Sequence, residues 1–452
     1  MTEPASSTTA SGPLPAAGEA RVLGLRELIA MGVGGMIGGG IFSILGLAVD
    51  VSGHAAPFAF AIGSVIAMVA GYSYVRLALT YRNDGASFTY LERAFPTRPA
   101  VAGIAGWTVV VGYVGTLALY AFTFGAYAGH LIGFSDAPVV RSVLSLGVLA
   151  GFMSINLFGA GAMGRAEDIV VYVKIVLLGI LAVVGFFTVD ATRFRPLFDR
   201  GTSSVLLGGA LIFVAYEGFQ LITNAVTETQ DPERNIPRGI YGSIAITSFI
   251  YIAIAVVAVG NLDPGALHDA EEYALAVVAR PILGRAGDVL VDTAAMLATS
   301  SAINATLFGS ARLASEMATD SLAPEVFSFR SRSAVPVVGI VVITALAGLF
   351  TALGGLEVIA AFSSMTFLLV SIGVCVANLR LRRDTGSVVA PIGAGLVLMG
   401  ATVVLLAYYL ARHDPVALGF TAGVYGVTAL THVVFMKLRD RLRPWRPFGV
   451  SS

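Results

Sequence analysis

Charge is scarce in this chain: 12% of its 452 residues are Asp, Glu, Lys or Arg, against roughly 25% in ordinary soluble domains. With 56% hydrophobic residues and a mean hydropathy of +0.83, that shortage excludes a water-soluble fold. It reads as an all-α integral membrane protein that crosses the bilayer many times. The 28 basic residues balance 28 acidic ones, so net charge points to no nucleic-acid partner. Cysteine is nearly absent. Cys375, alone in an apolar run, excludes an intrachain disulfide, and the five histidines form no Cys/His cluster for a metal. No paired carboxylates or Cys–His set falls at membrane depth, which argues against an enzyme, and no cofactor is implied. A Walker-type loop is missing, so ATP does not drive the protein directly; a repeated filter loop is missing too, which argues against a channel. Residues 1–25, rich in Ser, Thr, Ala and Pro, lack an apolar core of signal-peptide length and read as a disordered cytoplasmic tail.

What the chain has instead is apolar length. At about 20 residues per span, spans are expected near Arg26–Val49, Ala55–Thr80, Ala100–Ile132, Val139–Phe158, Ile169–Val189, Ser204–Thr227, Pro237–Gly260, Asp288–Thr319, Val335–Leu353, Leu356–Leu379, Val388–Leu410 and Val416–Phe435. That makes twelve. The third and eighth exceed what one perpendicular helix needs and are expected to tilt or to extend beyond the bilayer. With both termini on the cytoplasmic side, twenty of the 28 Lys and Arg fall inside, seven fall outside and Lys174 lies within a span. This asymmetry predicts an even number of spans, cytoplasmic termini and insertion in the plasma (inner) membrane. Residues 437–452 read as a basic cytoplasmic tail.

The stretch Ile29–Leu45 organises the rest. Gly32, Gly34, Gly35, Gly38, Gly39 and Gly40 lie within nine residues of what would otherwise be a plain membrane helix. Glycine costs about 1 kcal/mol against alanine inside a helix, and three in a row free backbone groups at a depth where no bulk water satisfies them. Such a break lines a cavity, and a half-helix restarting at Ile41-Phe42-Ser43 aims its first N–H groups there as a seat for a carboxylate. Small-residue helix packing is the competing explanation of the same glycines. A second interruption is expected in the sixth span, over Leu211–Asn224, where Gly218 and the polar residues Glu217, Gln220, Thr223 and Asn224 fall in mid-membrane. Breaks in the first and sixth spans, five helices apart, are the mark of an inverted repeat with its site at the repeat interface.

Three stretches carry a family likeness. Gly32-Val33-Gly34-Gly35-Met36-Ile37-Gly38-Gly39-Gly40-Ile41-Phe42 resembles the first-helix signature of the amino acid–polyamine–organocation (APC) permeases. Phe213-Val214-Ala215-Tyr216-Glu217-Gly218-Phe219, with the loop Asp231-Pro232-Glu233-Arg234-Asn235-Ile236-Pro237-Arg238-Gly239-Ile240, is similar to the sixth-helix signature and the loop after it. Ser301-Ala302-Ile303-Asn304-Ala305-Thr306 with Ala311-Arg312 is similar to the eighth helix. The likeness runs from about Arg26 to about Arg383.

It implies a LeuT-type fold of five plus five helices, residues 26–189 and 190–383, with helices 1 and 6 broken and two additional C-terminal helices over 384–436. It also implies transport of amino acids or related amines. By position, the substrate carboxylate would meet the N–H groups of Gly39, Gly40 and Ile41. The ammonium would meet carbonyls at Met36, Ile37, Val214, Ala215 and Glu217, with Tyr216 and Phe219 beside them. Lys174 matches the fifth-helix lysine that, in proton-coupled and exchanging members, fills the place where sodium-coupled relatives bind sodium. The sequence departs from the family at Gln220, where many members carry an acid; Glu217 stands just before the glycine instead.

Weighed as residues, Lys174 is either functional or a cation that snorkels to the cytoplasmic surface, about 7 Å from Ile169. Glu217 can compensate a substrate cation, take part in proton coupling or cap a broken helix end. Tyr113, Tyr216, Phe219 and Phe367 are pocket walls or plain packing. Asp292 and Glu316 fall near the ends of the eighth span and read as interfacial. The reading that unites these features is a sodium-independent secondary transporter, proton-coupled or exchanging. An exchanger without net proton coupling and a nutrient sensor that binds without transport are the alternatives.

Overall fold

The computed structural model describes residues 23–82, 86–135, 137–158, 164–331 and 335–442. All regular structure among them is helical, apart from a parallel bridge between Leu23 and Thr229. The first apolar run is divided into α1 (Leu25–Met36) and α2 (Gly40–Ser52). Glu27 accepts a hydrogen bond from the Gly24 N–H at 3.0 Å, which sets a negative charge at the start of α1, where the helix dipole favours one. There follow α3 (Ala56–Thr80), a short α4 (Ala86–Ala94), α5 (Pro99–Leu131), α6 (Pro138–Phe158) and α7 (Gly164–Phe186). The 33 residues of α5 span about 50 Å at 1.5 Å per residue, well beyond a hydrocarbon core of about 30 Å.

The sixth run changes winding earlier than its glycine suggests. Helix α8 (Thr202–Leu211) passes at Ile212 into a 3-10 helix that continues through Glu228, unusually long for this tighter winding. The cause lies on a distant helix. The Ser364 hydroxyl donates to the Leu211 carbonyl at 2.5 Å and accepts from the Val214 N–H at 3.0 Å, so the N–H that an α-helix would send to the Ala210 carbonyl is spent elsewhere.

The remainder comprises α9 (Pro232–Asn261), α10 (Pro264–Asp269), α11 (Ala274–Thr319), α12 (Val337–Leu353), α13 (Leu356–Arg380), α14 (Arg382–Thr385), α15 (Val389–His413) and α16 (Pro415–Leu442). Gly284 takes φ 67° and interrupts α11, a conformation glycine adopts without steric penalty. Beyond it the helix runs unbroken through the expected eighth span. Helix α16 carries past Lys437, which the sequence assigned to the basic tail; residues 443–452 of that tail and 1–22 of the N-terminal one lie outside the described residues.

Eight helical stretches among the described residues are long and apolar enough to cross a membrane, and Val170–Phe186 and Val337–Leu353 are shorter apolar helices. The stretch Thr202–Glu228, with α5 and α13, is largely buried by other helices, whereas α6 and α16 leave apolar side chains such as Val139, Phe158, Val416 and Val427 exposed. Lipid-facing positions demand that pattern. Helix α1 packs against the 3-10 segment and α9, and α5 lies across α11 and α13.

Candidate functional site

Only Ile37–Gly39 leave the helix at the first interruption; Gly32, Gly34 and Gly35 lie inside α1 and Gly40 opens α2. Close packing and the break therefore fall at different positions of the glycine cluster. A Cβ on Gly32 would collide with Ser243 and Ile222, one on Gly34 with Val171, and one on Gly35 would stand 3.2 Å from the Gly218 Cα, so these three allow close helix approach. Gly38 and Gly39 form the break itself.

Helix α2 opens on Gly39 without a side-chain cap. Its first-turn amides, those of Gly40 and Ile41 among them, are thus left to other partners, and the helix dipole makes that end attractive to an anion. The turn is splinted from its far side: Ser43 donates through both N–H and Oγ to the Gly39 carbonyl, at 2.8 and 2.6 Å. Thr123 of α5 donates to Ser43 Oγ at 2.7 Å, and Tyr127 of α5 donates to the Phe42 carbonyl at 2.9 Å. The Tyr120 ring lies directly over Gly39, where any Cβ would enter it.

The second interruption meets the first edge to edge. A Cβ on Gly40 would stand 3.0 Å from the Ala215 Cβ, and one on Gly218 would fall inside the backbone of Gly35 and Met36. Met36, Ile37, Ile41, Val214, Ala215, Tyr216 and Phe219 are all buried. The carbonyls of Met36 and Ala215 both face the Tyr251 hydroxyl of α9, at 2.6 and 3.3 Å. Tyr216 points away from the turn, donating to the Phe60 carbonyl of α3 at 2.8 Å. Phe219 meets Tyr74 edge-on at 5.4 Å, and Phe367 lies against Tyr113 at 5.9 Å. Glu217 is 7% exposed, within electrostatic reach of Tyr74, Tyr113 and Tyr120.

Lys174 does not snorkel. It is 2% exposed, and its Nζ donates to the Gly34 carbonyl of α1 at 2.9 Å. Helices α7 and α1 are thus joined one turn before the break, where a mid-membrane cation needs oxygen partners.

At one end of the helices, α10 and the turn Glu271–Tyr273 lie over α2, with the Glu271 backbone against Gly46. His268 pairs with Asp50 at 2.8 Å, Arg141 with Glu272, and Tyr273 stacks on His130 at 4.5 Å. His130 of α5 pairs with the Asp292 carboxylate at 2.9 Å, and Asp292 is buried. Glu316 takes Arg312 as an exposed helical pair. Tyr74 bonds Ser87 of α4 at 3.1 Å and Tyr90 is wholly buried. No group of His, Cys, Asp and Glu among the described residues could hold a metal ion.

Sequence reading missed Tyr251, Tyr120, Ser364 and Thr123. Each is a hydroxyl or aromatic residue in an apolar run, and its role depends on a partner far away in the chain.

Residues 23–436 match the family described as amino acid permease. The chain is 32% identical to an uncharacterised protein of Methanocaldococcus jannaschii over 93% of its own length and 96% of that protein's. It is 29% identical to the inner membrane transport protein YbaT of Escherichia coli, over 86% and 90%. With the branched-chain amino acid permease BcaP of Bacillus subtilis it shares 24% identity, over 67% and 68%. A family match over nearly the whole chain and relatives aligned end to end place the protein among multi-pass membrane transporters rather than enzymes: it belongs to the amino acid permease family of the APC superfamily.

Proposed function

We propose that the protein is a sodium-independent secondary transporter of neutral or weakly cationic amino acids in the plasma membrane, proton-coupled or exchanging, working by alternating access. Its twelve helices form two inverted five-helix repeats and two further helices, with substrate held where the repeats meet. The observation that carries this reading is the uncapped start of α2 at Gly39, packed against the second interruption through Gly40 and Ala215. Amides there receive the substrate carboxylate, and carbonyls at Met36, Ile37, Val214, Ala215 and Glu217 receive its ammonium, since helix ends carry partial charges of the matching sign. Lys174 supports the coupling assignment: its ammonium already lies on the Gly34 carbonyl, as a fixed cation in place of sodium would, and loss of its proton weakens the tie between α7 and α1.

Thermal shift of the purified protein against the common amino acids and amines tests binding, because a ligand at 100 times its Kd stabilises the fold by about 2.7 kcal/mol. Counterflow in proteoliposomes tests transport. A ligand-dependent shift with sodium-free counterflow is the expected result. Binding without counterflow would make the protein a sensor, and sodium-dependent uptake would overturn the coupling assignment.

A further inference from the structure

The two interruptions come from segments nearly 180 residues apart, yet one side chain from a third helix reaches both. Tyr251 is wholly buried on α9. Its hydroxyl donates to the Met36 carbonyl, the last of α1, at 2.6 Å and stands 3.3 Å from the Ala215 carbonyl in the 3-10 segment. The same hydroxyl lies against Gly40, the first residue of α2. The ring is fixed by edge contacts with Phe60 of α3 at 5.6 Å and Tyr216 at 5.4 Å, and Tyr216 is itself held by the Phe60 carbonyl.

A phenol has one proton to donate and lone pairs to accept with. Placed between two carbonyls, it can serve Met36 or Ala215 as donor, but not both fully at once. Its oxygen adjoins Gly40: a Cβ there would enter the hydroxyl group. A carboxylate taking the amides of Gly40 and Ile41 would come close to that oxygen, so the phenol is placed to register whether the seat is filled.

We propose that Tyr251 is a positioning residue that couples the two interruptions, shifting its hydrogen bond between Met36 and Ala215 as substrate occupies the α2 amides and so making the two segments rearrange together. This rests on reading the interruptions as the substrate site. A group that only capped a helix end would affect how much protein folds. A coupling group affects how fast the loaded site turns over.

The experiment uses the full-length chain in proteoliposomes, with counterflow of radiolabelled L-alanine, L-leucine and L-lysine and the melting temperature of each variant. Tyr251→Phe keeps the ring and removes the proton. Its expected result is a loss of about tenfold in kcat, the equivalent of one hydrogen bond to a buried carbonyl, with KM changed less than about threefold and melting within a few degrees of wild type. Gly40→Ala places a methyl group against the phenol oxygen and is expected to be nearly inactive. Adding Tyr251→Phe removes the atom it strikes and should restore part of that activity. Unchanged kcat in Tyr251→Phe, or activity falling only in proportion to lost folded protein, would overturn the coupling role, as would a double variant no better than Gly40→Ala. Wild type that moves none of the three amino acids would sink the reading of the site, and the coupling role with it, whereas wild-type counterflow alongside an unaffected Tyr251→Phe would sink the coupling role alone.

Discussion

Gly218 presses its Cα against the backbone of Gly35, so that no side chain fits between the two interrupted segments. Backbone cannot move aside as a flexible side chain can. A methyl group forced into such a packed contact costs about 1–3 kcal/mol. Gly218→Ala is expected to insert in the membrane and lose transport about tenfold or more. Counterflow beside detergent size-exclusion profiles checks this, and wild-type rates would mean that the segments are free to separate at this point.

Replacing Lys174 with alanine removes the donor to the Gly34 carbonyl and leaves that carbonyl buried. A hydrogen bond from a charged donor contributes about 1.5–3 kcal/mol, so uptake should fall about tenfold or more. Lys174→Arg should not restore it, because arginine keeps its proton. The measurement is uptake across imposed pH gradients without sodium; normal pH-dependent uptake by the alanine variant would return Lys174 to a structural anchor.

The lid over α2 formed by α10 and Glu271–Tyr273 is expected to respond to pH through Glu271. Burial, followed by the neighbouring carboxylates Asp50, Glu357 and Glu272, pushes its carboxyl from an ordinary 4.5 up to about 7. The seated lid therefore binds a proton that the open lid releases. Its stability is full below about 4.5 and is lost as pH rises through about 7. Hydrogen exchange over Pro264–Tyr273, corrected for intrinsic pH dependence, should speed up across that window, and Glu271→Gln should flatten the rise. An identical rise in the variant would remove Glu271 from the lid's pH response.

Dicarboxylates should be poor substrates. The interruptions bring together backbone amides, Glu217 and Lys174, and no arginine is among the residues that meet there. A second buried carboxylate without a paired cation costs several kcal/mol, so glutamate and aspartate should compete at least about 100-fold more weakly than neutral amino acids. Tight, saturable glutamate uptake would refute this.

Glycine can be read from sequence because few residues share its tolerance, which is why the break at Gly38–Gly39 and the contact at Gly218 were both legible. Lys174 was legible through scarcity, as one of two lysines in a chain that otherwise uses arginine. Ser364 and Tyr251 were not. Serine and tyrosine are ordinary in membrane helices, and these two act on carbonyls 153 and 215 residues away, distances over which no local pattern forms. The same limit hid what ends α8: the change of winding at Ile212 falls inside the expected stretch Leu211–Asn224, but the α13 hydroxyl that takes the Val214 N–H could not be read from sequence.

The bridge near the start of the described chain constrains how the two interrupted segments move. Leu23 donates to the Glu228 carbonyl at 2.8 Å and accepts from the Gln230 N–H at 2.9 Å, fastening the entry of α1 to the exit of the 3-10 segment. These two members are also pressed together at Gly35 and Gly218. Pinned at the end and at the middle, they form a truss with two fixed joints rather than a pair of levers. To separate, the two members must swing as one piece or first release the joint at Leu23, which is made of two exchangeable backbone hydrogen bonds.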